Sequence, residues 1–251
     1  MTLFSTFVRY QLPYFTLTVL ILGFIFRIQR WLSGKKGEEI GLKSYKAIKY
    51  VVKDWFLNLI LFKKVFKRRK MMWLLILIFH FSAAAVLFGH LRGFGIWSAD
   101  WFLFLGEKNV EFMVEILPIY MGGILAFATF VLLFRRIISN DVRSISWPDD
   151  YFAIIILILA IFTGMMTRLT VAVHQPLKIE FIPGILILSI EKTPIDIWMD
   201  LHFLFTQIFF MYIPFSKLIH IISGILTSAF YSLNISHLEG SKIEFEKRKH
   251  S

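Results

Sequence analysis

Long apolar stretches alternate with charged stretches along the chain. Five apolar stretches are candidates to cross about 30 Å of hydrocarbon as helices. They lie at residues 11–26, 72–89, 116–134, 151–173 and 197–226. The first is the shortest and could be extended toward residue 3 only by including Arg9, and no small-residue cleavage site follows it. We therefore expect an all-α integral membrane protein, a five-transmembrane-helix bundle that forms one domain over residues 1–251.

The connecting segments differ strongly in positive charge. Residues 27–70 contain 14 Lys and Arg, three more follow the third stretch, and four lie in the tail at 227–251. The segments on the opposite side contain six. Because positively charged loops remain in the cytoplasm, the pattern predicts an N-terminus outside and a basic loop and C-terminus inside the cytoplasmic membrane.

Composition fits this class and excludes several kinds of chemistry. Hydrophobic residues make up 57% of the chain, far above a soluble globular protein. The net charge of +11 lies mainly in the predicted inner loops, and no nucleic-acid-binding motif is present, so we expect no nucleic-acid partner. With no cysteine, the chain cannot hold a disulfide, a thiolate-bound iron–sulfur cluster or a covalently attached haem. Any redox cofactor must be bound noncovalently.

Four histidines lie in or at the ends of two predicted spans. His80 and His90 are on the second span, and His202 and His220 are on the fifth. These spans run in opposite directions, so His80 and His220 form an inner pair and His90 and His202 an outer pair. Two facing imidazoles suit a six-coordinate b-type haem, whereas a non-haem metal would need further carboxylates or histidines. We predict two haem b groups with these four side chains as axial iron ligands, although each could simply hydrogen-bond a neighbouring helix.

The spacing of the histidines is unequal on the two spans. Ten residues separate His80 from His90, a rise of about 15 Å, and eighteen separate His202 from His220, a rise of about 27 Å. Pro214 lies between the second two and can kink the fifth span.

Two arginines lie near the predicted outer haem. Arg168 is close to the outer end of the fourth span, and Arg92 follows His90 by two residues. Each can meet a haem propionate or extend toward the lipid headgroups.

Three further groups are candidates beside the haems. Lys217 precedes His220 by three residues and can meet an inner propionate or extend to the interface. Lys108 and His174 lie in exterior connections, where each is either part of a quinol site or a solvated group. The apolar segment 181–190 is too short to span the membrane and is expected to cover the outer side.

Four strings in the sequence resemble a known family. They are FHFSAAAVLFGHLRGF at 79–94, VRSISWPDDYF at 142–152, TGMMTR at 163–168 and MYIPFSKLIH at 211–220. Together with the histidine spacing, they resemble the nitrate reductase gamma subunit-like dihaem cytochrome b family. The chain is similar in particular to the membrane cytochrome b subunit of the Dsr-type sulfite-reduction-associated complex, and also to the heterodisulfide reductase membrane subunit.

The resemblance implies an electron-transfer subunit of a respiratory complex. Electrons would pass between menaquinol or its quinone and a cytoplasmic iron–sulfur catalytic subunit of sulfur metabolism, with other membrane and exterior redox subunits present. Such a chain is not catalytic alone, apart from quinol oxidation. The alternatives are the gamma subunit of a nitrate reductase, and a transporter or proton-conducting protein with histidine relays.

Two surfaces follow from this reading. An outer quinol site is expected among Arg92, Lys108 and Arg168, with Trp97, Trp101 and Phe102 available to enclose the apolar ring. On the inner side, the expected docking surface comprises an amphipathic segment at 43–55, the basic run 63–70 and the connection 135–150. The positive-inside rule and contact with anionic lipid also account for most of those inner charges.

Overall fold

The computed structural model describes residues 2–33, 52–53, 55–93, 95–170, 180–182, 185–189, 196–220 and 223–224. Five long helices organise these residues, and we label them α1 to α5. Helix α1 comprises Leu3–Thr6, a π-helical turn at Phe7–Gln11, and Leu12–Leu32. Helix α2 is Lys70–Gly93, and α3 comprises Glu107–Glu111, a π-helical turn at Phe112–Ile116, and Leu117–Ile138. Helix α4 is Pro148–Thr170 and α5 is Ile197–Tyr212.

Shorter elements occupy the connections. They are a π-helical turn at Trp55–Ile60, α-helical turns at Lys63–Arg68 and Asn140–Arg143, and 3₁₀ turns at Ala99–Leu105, Ile213–Phe215 and Lys217–Ile219. Strands β1 (Glu180–Ile182) and β2 (Ile185–Ser189) pair antiparallel, with Ile182 opposite Ile185. Both strands fall largely within the apolar segment 181–190, which we expect to cover the outer side. The described part of that segment therefore belongs to an antiparallel strand pair.

Four helices among the described residues are long and apolar enough to cross a membrane. They are Leu3–Trp31, Lys70–Gly93, Glu107–Ile138 and Pro148–Thr170. The first three contain the first three predicted stretches, and the fourth contains residues 151–170 of the stretch predicted at 151–173, so those four predictions of helices are confirmed. Residues 171–173 lie outside the described part of the chain. The chain has the helices of a multi-pass membrane protein.

Two of these helices begin earlier than the apolar pattern predicts. Helix α1 starts at Leu3 rather than residue 11 and includes Arg9, because this guanidinium pairs with Asp200 inside the protein. Helix α3 starts at Glu107 rather than residue 116. Its first turns are amphipathic, with Val110 and Val114 buried and Glu107, Lys108 and Glu111 exposed.

The predicted span 197–226 is not one continuous helix. Helix α5 ends at Tyr212 after 16 residues, and Pro214 follows in a 3₁₀ turn. Proline has no N–H to continue the helical hydrogen bonds, so the α-helix ends just before Pro214, where the sequence allows only for a kink. Residues 221–222 and 225–226 lie outside the described part of the chain.

The chain divides into two compact units. The first contains Met1–Ile25 and Ile78–Ser216, and the second contains Phe26–Leu77 and Lys217–Ser251. Within the second, Trp73 donates its indole N–H to the carbonyl of Leu61 at 2.7 Å and packs edge-on against Phe66.

The first unit is built around α4, which packs against both α3 and α5. At the α3 contact, Gly122 lies against Met165: an added Cβ would collide with the Met165 sulfur, so that side chain would have to move. At the start of α4, Asp150 accepts the backbone N–H of Trp147 at 3.0 Å and pairs with Arg136 of α3 at 3.2 Å. The carboxylate thus caps α4, where negative charge is favoured at the N-terminus of a helix, and it ties α4 to the end of α3.

Candidate functional site

His90 and His202 face each other in the first unit. The ring centres are 5.9 Å apart and the ring planes are inclined by 40°. His90, in the last turns of α2, donates its Nδ1 proton to the carbonyl of Val86 at 2.7 Å. His202, in α5, donates its Nδ1 proton to the carbonyl of Ala160 on α4 at 2.9 Å. Both bonds leave the lone pair on Nε2, which is the tautomer that binds a metal.

The separation of these rings fits a metal coordinated between them. With a metal–nitrogen bond of about 2 Å, two axial imidazoles have ring centres about 6 Å apart. Within the described residues, no group of three or more His, Cys, Asp or Glu could hold a metal ion. The pair therefore suits a centre that takes only two protein ligands, as a six-coordinate haem does.

The α4 surface facing His202 is made of small residues. A Cβ added to Gly164 would lie 2.9 Å from His202 Cε1 and 3.0 Å from Nδ1, so only glycine leaves room for the ring. Thr163 and Thr167 are buried, and their hydroxyls donate to carbonyls one turn earlier in α4. These hydroxyls already donate within α4, so they do not need the imidazole as an acceptor. The ring therefore packs closely against the α4 backbone at Gly164.

Thr206 lies one turn after His202 on α5. Its Oγ1 is buried and has no hydrogen-bond partner within the described residues. A bound group at this face would therefore meet a polar atom that can still donate a hydrogen bond.

The predicted inner ligands fall in separate units of the chain. His80 is half-buried on α2 in the first unit, and His220 is exposed in the second. His220 donates its Nδ1 proton to the carbonyl of Lys217 at 2.9 Å, which again leaves the lone pair on Nε2. Their pairing stays a prediction.

Arg168 contacts protein groups at the outer end of α4. Its Nη1 is 3.7 Å from Oε2 of Glu115, and its Nη2 donates to the carbonyl of Val114 at 3.4 Å. Both side chains of this ion pair are about one-third exposed. Arg168 also follows Gly164 by one helical turn, so the ion pair lies on the side of α4 that holds His202.

The other three predicted cations lie in terminal or short helical turns. Arg92 is half-buried in the last turn of α2, Lys108 is exposed in the first turn of α3, and Lys217 is exposed in its 3₁₀ turn. His174 lies outside the described residues, as does most of the predicted amphipathic segment at 43–55.

An aromatic cluster lies beside the end of α2. Trp97 is 7% exposed, stacks on Phe88 at 4.9 Å and donates its indole N–H to the Phe88 carbonyl at 2.8 Å. Phe102 packs edge-on against Trp97 at 5.4 Å. Trp101 is 64% exposed. Trp97 and Phe102 therefore form an apolar wall against Phe88, two residues before His90 in α2, whereas Trp101 is largely exposed.

Four polar residues near α5 were not predicted as part of any site. Asp200 lies two residues before His202 and is buried against Arg9 and Ser5 of α1, while Gln207 is buried one heptad further along. The available signal was the carboxylate at position 200 inside an apolar stretch, where ionisable groups are costly. The partner of Asp200 is nearly 200 residues away in sequence, so composition and local spacing do not reveal it.

Comparisons with known proteins agree with the family resemblance. A family model described as nitrate reductase gamma subunit matches residues 62–232, more than half of the chain. A "Hdr-like menaquinol oxidoreductase cytochrome b-like subunit" of Archaeoglobus fulgidus is 26% identical over 245 residues, covering 83% of this chain and 74% of its own length. A protein of the same name from Archaeoglobus profundus is 24% identical over 270 residues, covering 86% and 76%.

Gly164→Ala is expected to displace the His202 ring and break its bond to Ala160. Overpacking of this kind costs about 1–3 kcal/mol of folding free energy. Gly123→Ala in α3 is the matched control, because a Cβ there meets nothing within 4 Å. Unfolding of the purified variants in detergent provides the measurement. Equal stability of the two variants would show that α4 does not hold the His202 ring by close contact.

Proposed function

The chain belongs to the nitrate reductase gamma subunit family, and we propose that it is a membrane dihaem cytochrome b that carries electrons from menaquinol to a cytoplasmic catalytic subunit. The observation that carries this proposal is the facing pair of His90 and His202, each with its Nδ1 bonded to a backbone carbonyl. The names of the two Archaeoglobus relatives support the quinol and the cytochrome b parts of it.

The proposed topology has five spans, with the N-terminus outside and the C-terminus in the cytoplasm. Four long apolar helices and the excess of Lys and Arg in the predicted inner segments support it. The fifth span would consist of α5, about 24 Å long, and the 3₁₀ turns that follow it through Ile219.

Two haem b groups are proposed within this bundle. His90 and His202 would ligate the outer haem iron, and His80 and His220 the inner one. When bound, haem would supply one-electron chemistry, and the protein would hold each iron by two imidazoles in an apolar site. Residues 82–85, which are all serine or alanine, separate the two histidines of α2. Arg92 and Lys217 remain the proposed partners of outer and inner propionates.

The quinol site is proposed on the outer side, between the aromatic wall of Trp97 and Phe102 and the ion pair of Arg168 with Glu115. Oxidation of a quinol to the quinone releases two electrons and two protons, and the Glu115 carboxylate can accept a proton there. Arg168 and Lys108 would orient the hydroxyl groups of the quinol. Releasing protons outside while electrons move inward adds to the membrane potential, worth about 2.3 kcal/mol per charge for each 100 mV.

An iron–sulfur subunit is the proposed electron acceptor on the cytoplasmic side. The chain has no cysteine to hold a further cluster, so an electron at the inner haem must leave to another protein. By the resemblance to the Dsr-type and heterodisulfide reductase complexes, this partner acts in sulfur metabolism. Lys67 and Arg68, exposed at the end of a short helix, and the adjacent Arg69 offer positive charge to an acidic partner surface.

Replacing a haem ligand is expected to remove one haem. His90→Ala and His202→Ala should each lower the haem content from two per chain to one and remove the same spectral component, because both bind one iron. Pyridine haemochrome analysis and reduced-minus-oxidised spectra measure this. His237→Ala in the predicted tail is the control and should retain both haems. A wild-type protein without haem would instead favour the transporter or proton-conducting alternative.

Replacing the quinol-orienting cations is expected to slow electron entry. Arg168→Gln and Lys108→Gln should each reduce the rate of haem reduction by a menaquinol analogue about tenfold, the equivalent of one charged hydrogen bond. Haem content should stay unchanged. Arg143→Gln, in the connection between α3 and α4, is the control. Wild-type kinetics in both test variants would place the quinol elsewhere.

Charge reversal at the basic run is expected to weaken partner docking. The triple variant Lys67→Glu, Arg68→Glu and Arg69→Glu should lose co-purification with the iron–sulfur subunit, since complementary charge would become repulsive. The matched control reverses Lys247, Arg248 and Lys249 in the tail. Retention of the partner by the first variant at both low and high salt, with normal insertion and haem content, would show that this run only sets topology.

A further inference from the structure

A buried ion pair joins α1 to α5. Arg9 and Asp200 are 0% and 3% exposed, and Arg9 Nε donates to Asp200 Oδ1 at 2.5 Å. The second carboxylate oxygen accepts the hydroxyl proton of Ser5 at 2.5 Å. The π-helical turn at Phe7–Gln11 contains Arg9, so the widened turn is the part of α1 that meets Asp200. Both oxygens of Asp200 are therefore engaged by α1.

A second polar contact lies seven residues further along α5. The side-chain amide of Gln207 donates to the carbonyl of Val8 at 3.0 Å, and its oxygen accepts the hydroxyl proton of Thr16 at 3.2 Å. In the π-helical register, the N–H of Leu12 bonds to the carbonyl of Phe7, so the next donor in that register would be Pro13. Because proline has no N–H, the Val8 carbonyl has no such donor, and Gln207 supplies one.

A third contact lies seven residues beyond Gln207. A Cβ added to Gly23 of α1 would lie 2.7 Å from the Cβ of Pro214. The positions 200, 207 and 214 therefore mark one face of the segment that begins with α5, and this face meets α1 at three levels. We call these contacts the α1–α5 seam.

His202 lies on another face of α5. Two residues of an α-helix turn by about 200°, so the side chain of His202 leaves α5 nearly opposite that of Asp200. It bonds to Ala160 of α4 and faces His90 of α2. Rotation of α5 about its axis would move Asp200 and His202 together. The seam thus fixes the same rotation that aims His202.

We propose that Arg9, Asp200 and Gln207 are positioning residues for the outer haem ligand His202: the α1–α5 seam locks the rotation of α5 so that His202 faces His90. This inference rests on the proposed function for its haem readout. Apolar side chains in lipid give little preference for one helix rotation over another, whereas buried polar contacts specify one arrangement. None of the three residues is proposed to touch the haem or the quinol.

The first arm of the test separates a buried charge from positioning. Arg9→Met or Asp200→Leu alone leaves an unpaired charge, and the yield of folded protein should fall more than about tenfold. The double variant Arg9→Met with Asp200→Leu removes both charges and should restore the yield. Gln207→Leu removes the second contact without leaving a charge. Thr18→Val is the control, because Thr18 is an exposed hydroxyl that bonds within α1.

The second arm measures the geometry of the outer haem in the folded variants. The low-spin EPR signal of a bis-histidine haem depends on the angle between the imidazole planes. We expect this signal and the midpoint potential of the outer haem to shift in the double variant and in Gln207→Leu, while the inner haem is unchanged. Wild-type values for the outer haem in both variants would overturn the proposal and leave the seam as a purely structural contact.

A third arm does not depend on haem. Since the chain has no cysteine, spin labels can be attached at Leu169→Cys on α4 and Ile197→Cys on α5, both exposed positions. The distance distribution between the labels should broaden or shift in the double variant and stay unchanged in Thr18→Val. An unchanged distribution in the double variant would contradict the proposal. If the wild-type protein contains no haem but the double variant still shows this shift, the proposed function is refuted while the lock on α5 is supported.

Discussion

Lipid offers no hydrogen-bond partners, so polar groups on the apolar helices must find them inside the protein. This constraint explains several contacts that otherwise look unrelated. Threonine hydroxyls in α4 donate to the preceding turn of the same helix. Gln207 satisfies a carbonyl that Pro13 leaves without a helical donor. Asp200 and Arg9 neutralise each other where neither would be tolerated alone.

The same constraint shapes the candidate haem site. A histidine facing lipid would leave both ring nitrogens without partners. His202 donates its Nδ1 proton to the Ala160 carbonyl and its ring faces His90, which donates in the same way to the Val86 carbonyl. The backbone carbonyls select the tautomer, and Gly164 supplies the space. Backbone hydrogen bonds and one glycine thus bring together two imidazoles, each with a lone pair on Nε2.

Helix α5 is the element on which these contacts converge. Its α4-facing side holds His202, its α1-facing side carries the seam, and Pro214 ends its regular hydrogen bonding. The position of the outer pair therefore depends on two neighbours of α5 as well as on α2, where the facing histidine lies. The charged groups of the proposed quinol site lie on α4 and α3, where Arg168 pairs with Glu115.

The sequence by itself determined the family, four of the helices and a possible kink at Pro214, because hydrophobic length, motif spacing and the missing proline N–H are local properties. It also predicted that His90 and His202 belong together, from the opposite directions of two spans. Only the tertiary structure decided that α1 includes Arg9, that Asp200 lies opposite it, and that Gly164 receives the His202 ring. Those features depend on which helix faces which, and an apolar pattern is nearly the same on every side of a helix surrounded by lipid.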